Sequence, residues 1–221
     1  PFGSLLLWSK PSDGCDSFIP NGGSDSRTSL ALHASIRTTV SHRANLRKER
    51  IPRCERLLNM SQITQLLKQH RRNLHTYPET AWTEFQTTWY IYQQLMTLPF
   101  KLRLGKEILN EAFVLNRDEE EVKSSTKRAL NNGVPKEFIH ILDEFTGVMA
   151  TFETHKSGPT FVLRFDIDAL PIQETEDAQH LPNLLGFRSR HDNCMHACGH
   201  DFHTAIGLVL ARWISEQRAK L

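Results

Sequence analysis

No stretch of this chain approaches the roughly 20 consecutive apolar residues that a membrane-spanning helix needs, so no membrane partner is expected. Cysteine is scarce. Cys15, Cys54, Cys194 and Cys198 are irregularly spaced through 221 residues, which is not the pattern of a small secreted disulfide scaffold. The net charge of +2 is too small to argue for nucleic acid. There is no Walker-type loop, no Gly-x-Gly-x-x-Gly and no Gly-x-Ser-x-Gly elbow. Nucleotide binding and serine hydrolase chemistry therefore have no support. An apolar fraction of 39% with 24% charged residues is that of an ordinary globular chain, and the length suits one domain to one and a half.

Acidic residues are also missing locally. Between Ser26 and Lys48 there is none, whereas Arg27, Arg37, Arg43, Arg47 and Lys48 are present. That composition fits an organellar transit peptide, but an upstream stretch foreign to the folded protein is the simpler reading. Residues 1–59 are read as a disordered or non-native leader without assigned function, and residues 60–221 as the folded part. Cys198 makes chemical sense as a free thiolate, so a reducing, cytoplasmic setting is expected. An organelle is the alternative if the leader is genuine.

Periodicity then supplies elements. Ile63, Leu66, Leu67, His70 and Leu74 share one helical face, with Ser61 as the predicted N-cap and Pro78 beyond the end. A second helix is predicted from Thr83, with Gln86 completing a capping box and Phe85, Trp89, Tyr92 and Leu95 or Met96 as its apolar stripe. Residues 101–104 alternate as a short strand. Residues 107–145 are predicted largely helical, with Asp118 as a cap and Asn132-Gly133 as a stop. Residues 147–152 and 160–165 read as strands. The run Phe161-Val162-Leu163 with Phe165 suggests burial on both faces. Ile206, Val209, Leu210, Trp213 and Ile214 mark a final amphipathic helix.

Two segments carry chemistry. Asp166 and Asp168 leave the end of a strand, where open α/β sheets place their sites. They suit direct metal binding or the holding of ligating imidazoles, and equally a strand end that simply closes on solvated carboxylates. The second segment is Met195-His196-Ala197-Cys198-Gly199-His200-Asp201-Phe202-His203. Thiolate and imidazole are donors that borderline divalent ions prefer, and Cys198 and His200 are one glycine apart. Asp201 suits orientation of the site or capping of the next helix, and His203 is a further possible donor. His191, Cys194 and His196 enlarge the donor list to that of a structural zinc knuckle. However, knuckles usually pair two short ligand sets across a longer loop, so a catalytic centre completed from elsewhere fits better. His196 is read as structural and Cys194 as a small buried apolar residue.

Arg71-Arg72-Asn73-Leu74-His75-x-x-Pro78-Glu79, then Asp166-x-Asp168-Ala169-Leu170-Pro171, then His196-Ala197-Cys198-Gly199-His200-Asp201-x-His203 resembles, motif by motif and in order, the metal-dependent amidohydrolase and aminoacylase family. Glu174-x-x-Asp177-x-x-His180-x-Pro182 and Gly186-Phe187-x-Ser189 are similar to its p-aminobenzoyl-glutamate hydrolase A-subunit branch. The resemblance implies a three-layer α/β/α metallo-exopeptidase-like catalytic domain with a smaller lid or dimerisation domain, which this chain lacks. It implies two divalent ions, manganese or zinc, with Cys198 and His200 as ligands and Asp166, Asp168, Asp201 and His203 as further ligands or their supports. It implies hydrolysis of N-acyl amino acids or aminobenzoyl-glutamate-type conjugates, by a homodimer or a two-subunit hydrolase. The family's general base, a Glu of a Glu-Glu pair, and its remaining ligands follow the histidine motif. None follows His203 here, so the base is expected downstream of Leu221 and no catalytic residue is assigned within the chain. Residues 60–221 are read as the N-terminal part of such a domain. A metal-binding product of truncation and a structural zinc module are the alternatives.

Overall fold

The computed structural model describes residues 4–10 and 58–221; the arginine-rich stretch between Ser26 and Lys48 lies outside them. The elements are β1 (Ser4–Lys10), α1 (Met60–Thr76), α2 (Phe85–Leu95), β2 (Lys101–Leu104), two short 3-10 turns (Gly105–Ile108 and Glu111–Phe113), α3 (Glu119–Asn131), α4 (Lys136–Leu142), β3 (Val148–Glu153), β4 (Phe161–Asp166), a one-turn helix α5 (Leu181–Leu184) and α6 (His200–Gln217). The class is α/β.

The strands form one mixed sheet in the order β2-β3-β1-β4. β1 runs parallel to β3, with Leu6 opposite Met149, and antiparallel to β4, with Leu6 opposite Arg164. β3 and β4 are thus antiparallel, as the short connection between them requires, but β1 lies between them. No strand was predicted in the leader. The continuous run Leu5-Leu6-Leu7-Trp8 nevertheless has the character of a central strand, a signal hidden by the turn formers around it.

Local chemistry explains the helix ends. Asn59, not Ser61, caps α1: its side chain accepts the Gln62 N–H at 2.9 Å, and the Gln62 side chain accepts the Asn59 N–H at 3.0 Å. This reciprocal box satisfies two amides at once. Asp118 caps α3 as predicted, accepting from Glu120 and Glu121 at 2.8 and 2.9 Å, and Gly133 follows its end with φ +88°. The second helix begins at Phe85 rather than Thr83. Its first amides are capped from outside by the buried carboxylate of Glu79, which accepts from Thr87 at 2.8 Å and Gln86 at 3.3 Å.

Packing decided the rest. Ile91 and Leu95 of α2, Phe138 and Leu142 of α4, Val148 and Ala150 of β3, and Leu208 and Ala211 of α6 share one continuous core. α2 and α6 touch both the sheet and each other, and α1 packs along α6. β4 is not buried on both faces. Phe161 and Val162 are more than 60% exposed, because β4 forms the sheet edge among the described residues. α6 buries only part of its predicted stripe. Val209 is buried and Leu210 packs against the core, but Ile206 and Trp213 are exposed, and Ala205, Leu208 and Ala211 face inward instead, since small residues allow a helix wedged between α1 and the sheet to approach both closely.

Candidate metal centre

Two isolated backbone bridges knit the three motif segments together. Thr80 pairs with Ala169, whose N–H donates to the Glu79 carbonyl at 2.7 Å; Leu170 pairs with Met195 through two 3.0 Å bonds. Gly199 caps α6 at φ +87°, a left-handed conformation that favours glycine. No neighbour would obstruct a Cβ there, so the backbone angle, not space, sets the requirement. The first helical residue after it is His200.

Asp168 organises what surrounds it. The His200 Nδ1 lies 3.0 Å from both the Asp168 carbonyl oxygen and its Oδ1. Two acceptors facing one ring nitrogen require that nitrogen to carry the proton, which leaves the Nε2 lone pair free. A carboxylate behind a histidine is the usual support of a metal-binding imidazole. The Cys198 Sγ is directed at the same Asp168 carbonyl from 3.9 Å, and Cys198 is an exposed free thiol. The structure thus brings Cys198, His200 and Asp168 together. Asp166, His200 and His203 also place donor atoms within 4.8 Å of one another, a grouping that does not include Cys198.

The other predicted residues divide. Asp166 is held by Arg164, whose Nε and Nη2 lie 2.9 and 2.7 Å from its Oδ1. Asp201 is neither the N-cap nor free to bind a metal: Oδ1 accepts the Phe202 N–H, and Oδ2 accepts from Arg71 and His75. Of the knuckle donors, the His191 Nδ1 is engaged by the Pro78 carbonyl. Cys194 is buried, and burial pushes its thiol up to about 12. His196 is buried with neither ring nitrogen hydrogen-bonded, and burial lowers its pKa to about 4. The general base expected downstream of Leu221 lies outside the described residues, and α6 brings no substitute for it to the centre. The one glutamate after His203 is Glu216, whose carboxylate is bonded to the Leu58 N–H and to Arg212.

Sequence reasoning quoted His75 and Glu174 only as parts of motifs and missed what they build. His75 bridges two buried carboxylates, Nδ1 to Asp201 Oδ2 at 2.8 Å and Nε2 to Glu174 Oε1 at 3.0 Å. Glu174 also accepts from His180 at 2.8 Å and from the Ser189 N–H at 2.6 Å. Burial by itself would lower the His75 pKa, but the two carboxylates outweigh it and raise it. Burial pushes the other way on Glu174 and Asp201, yet bonds to His75 hold both below the usual range. Both ring nitrogens face carboxylate oxygens, an arrangement that favours the protonated ring. It fixes the end of α1, the segment after β4 and the first turn of α6 to one another. The only sequence signal for it was the co-occurrence of the motifs.

The donor set fits a borderline divalent ion: a thiol and an imidazole with a free lone pair, two residues apart and steadied by one buried aspartate.

Residues 162–221 match the model of peptidase family M20/M25/M40. The chain is 41% identical over 160 residues to the A-subunit homolog of p-aminobenzoyl-glutamate hydrolase from Haemophilus influenzae, covering 72% of this chain and 38% of that protein. It is 39% identical over 152 residues to the p-aminobenzoyl-glutamate hydrolase A-subunit of Escherichia coli, covering 68% and 35%. With the indole-3-acetyl-aspartic acid hydrolase of Enterobacter agglomerans it shares 37% over 169 residues, covering 75% and 39%. The chain thus spans less than two fifths of the length of these relatives. Among solved structures, the aminobenzoyl-glutamate utilization protein of Klebsiella pneumoniae superposes with a TM-score of 0.51 at 28% identity, over 73% of this chain and 36% of that one. The family match falls on the segment that carries Asp168, Cys198 and His200, the alignments with the relatives extend the likeness over most of the chain, and residues 162–221 are similar to peptidase family M20/M25/M40.

Proposed function

We propose that residues 60–221 are the N-terminal part of an amidohydrolase catalytic domain that splits the amide bond of N-acyl amino acids, with aminobenzoyl-glutamate and related conjugates as the substrate class. The observation that carries this reading is the convergence of Cys198 and His200 on Asp168. Three of the matched relatives are named as hydrolases of such conjugates, which supports the substrate class.

Cys198, as thiolate, and the His200 Nε2 would hold a divalent ion, manganese or zinc, one of the pair that the family likeness implies. When bound, such an ion supplies water activation and polarisation of an amide carbonyl. Asp168 holds the proton on His200 Nδ1 and so keeps Nε2 available. The His75 ring holds the Asp201 end of the first turn of α6, which fixes the helix that carries His200. No residue up to Leu221 is assigned as general base, because Glu216 is already bonded elsewhere. The 221-residue chain is therefore expected to bind metal without turnover. Two relatives are named as A-subunits of a hydrolase, which supports a two-subunit hydrolase for the whole enzyme, with a homodimer as the alternative. The free thiol at Cys198 supports a reducing, cytoplasmic setting, and no helix among the described residues is long and apolar enough to cross a membrane.

The test is metal content by mass spectrometry on the purified chain and its Cys198→Ala variant, with hydrolysis of p-aminobenzoyl-glutamate followed on the same samples. Metal held by wild type and lost from the variant, without turnover, is expected. Stoichiometric zinc that survives Cys198→Ala would overturn the assignment of the centre.

A further inference from the structure

Asp166, His200 and His203 present the outline of a three-donor cation site, with donor atoms within 4.8 Å of one another. Their hydrogen bonds sort them differently. His200 faces two oxygens of Asp168 through Nδ1, so its Nε2 lone pair is available. His203 is wired the opposite way. The Asp166 backbone N–H donates to its Nδ1 at 3.0 Å, so that nitrogen must offer its lone pair, and the neutral ring carries its proton on Nε2. Neither nitrogen then has a lone pair to spare for a cation. Of the Asp166 carboxylate, Oδ1 is taken by Arg164 through contacts of 2.9 and 2.7 Å, and Oδ2 lies 3.9 Å from the His203 Nδ1.

The next residue of α6 completes the attachment. The Thr204 hydroxyl donates to the Asp166 carbonyl at 3.1 Å. Both backbone polar groups of the last residue of β4 are thereby taken by side chains of the first turn of α6. The Phe165 ring packs edge-on against His203, with centroids 5.2 Å apart. Two residues further along the chain, Asp168 meets His200 and Cys198.

We infer that His203 is a positioning residue and not a metal ligand: it pins the Asp166 peptide to α6 and so sets Asp168 against the Cys198–His200 pair. The inference rests on that pair being the metal-binding one. It predicts that the acceptor atom at the Nδ1 position, not metal-binding ability, is what the site requires of residue 203. Asparagine carries an oxygen close to that position and can accept the same N–H, but its amide is a poor ligand for cobalt or zinc.

Cobalt(II) titration of the full chain, followed through the thiolate-to-cobalt charge-transfer band, separates the possibilities. The expected result is one unchanged stoichiometry throughout, affinity about 10- to 100-fold weaker for His203→Ala, and recovery towards wild type for His203→Asn. Loss of a cobalt equivalent in both variants, or no recovery with asparagine, would overturn the inference. If His203→Ala does not fold, the asparagine variant carries the comparison. Long-range proton–nitrogen NMR correlations on the metal-free chain give a second readout: a His203 proton on Nε2 is expected, and a proton on Nδ1 would overturn the inference without reference to metal. A Cys198→Ser variant that kept the charge-transfer band would instead sink the Cys198–His200 reading.

Discussion

The His75 Nδ1 lies 2.8 Å from the Asp201 Oδ2, and the pair is almost completely buried, with side-chain exposures of 3% and 1%. Removing one member of a buried ion pair leaves an uncompensated charge, which typically costs about 3–5 kcal/mol. His75→Ala is expected to lose stability of that order in urea unfolding, and a loss under about 1 kcal/mol would contradict the bridge. The pH dependence has a definite sign. The pKa of His75 is raised above 6.5, so its contribution is complete below 6.5 and fades as pH rises through the raised value. Asp201 and Glu174 are held below 3.8 and 4.5, so theirs are complete above those values and fade as pH falls through the lowered ones. The gap between wild type and His75→Ala should therefore be widest between 4.5 and 6.5 and narrow on both sides.

Glu84 is fully buried at the start of α2, with Oε2 accepting from the Thr146 hydroxyl at 2.6 Å and Oε1 unpartnered. Burial pushes its pKa up to about 8 from 4.5. The unfolded chain ionises Glu84 from 4.5 upwards, so wild-type stability from this group falls as pH rises towards 8. Glu84→Gln keeps the Thr146 bond and removes the titration. Its melting temperature relative to wild type should rise steadily across that interval. Two parallel melting profiles would show that the carboxyl is not held protonated.

His196 occupies a buried position with both ring nitrogens unpartnered. An unsatisfied buried polar group costs about 1–3 kcal/mol. His196→Leu is expected to raise the melting temperature by about 2–4 °C per kcal/mol regained. The advantage should grow as pH falls from 6.5 towards 4, because the folded state resists protonating this ring. A lower melting temperature for the variant would mean that the imidazole has a partner in solution.

Leu6 pairs with Met149 on one side and Arg164 on the other. A proline there removes a ladder donor and cannot be accommodated inside a sheet. Leu6→Pro should lower the melting temperature and accelerate exchange of the β3 and β4 amides. An unchanged melt would show that β1 does not occupy the middle of the sheet.

Phe161 and Val162 on β4, and Phe202, Ile206 and Trp213 on α6, are exposed apolar side chains. Surfaces of this kind promote association, and the β4 edge, unpaired among the described residues, adds to it. The chain is expected to self-associate in sedimentation velocity, and Phe161→Lys with Trp213→Lys to reduce it. A monodisperse, cooperatively melting monomer would contradict this.

Short-range features were legible in the sequence because their physics is short-range. The Asp118 cap, the strands around Ala150 and Phe165, and the Cys-Gly-His spacing each depend on residues a few positions apart. The sequence could not show that α2 is capped by Glu79, because Ser, Thr and Asp at the expected position signal a cap only when the cap is local. It could not show which face of α6 is buried, because Ile206 and Leu208 are equally apolar and only the neighbours distinguish them.

The sequence by itself determined the α/β class and the donor chemistry: a thiol and an imidazole separated by one glycine are confined to one short turn. Tertiary structure decided what those donors do. The bridges from Thr80 to Ala169 and from Leu170 to Met195 bring Asp168 beneath Cys198 and His200. The same packing closes His75 between two carboxylates 126 and 99 positions away. Proton placement on an imidazole follows the acceptors that fold around it, and chain-distant acceptors have no periodicity from which they can be read.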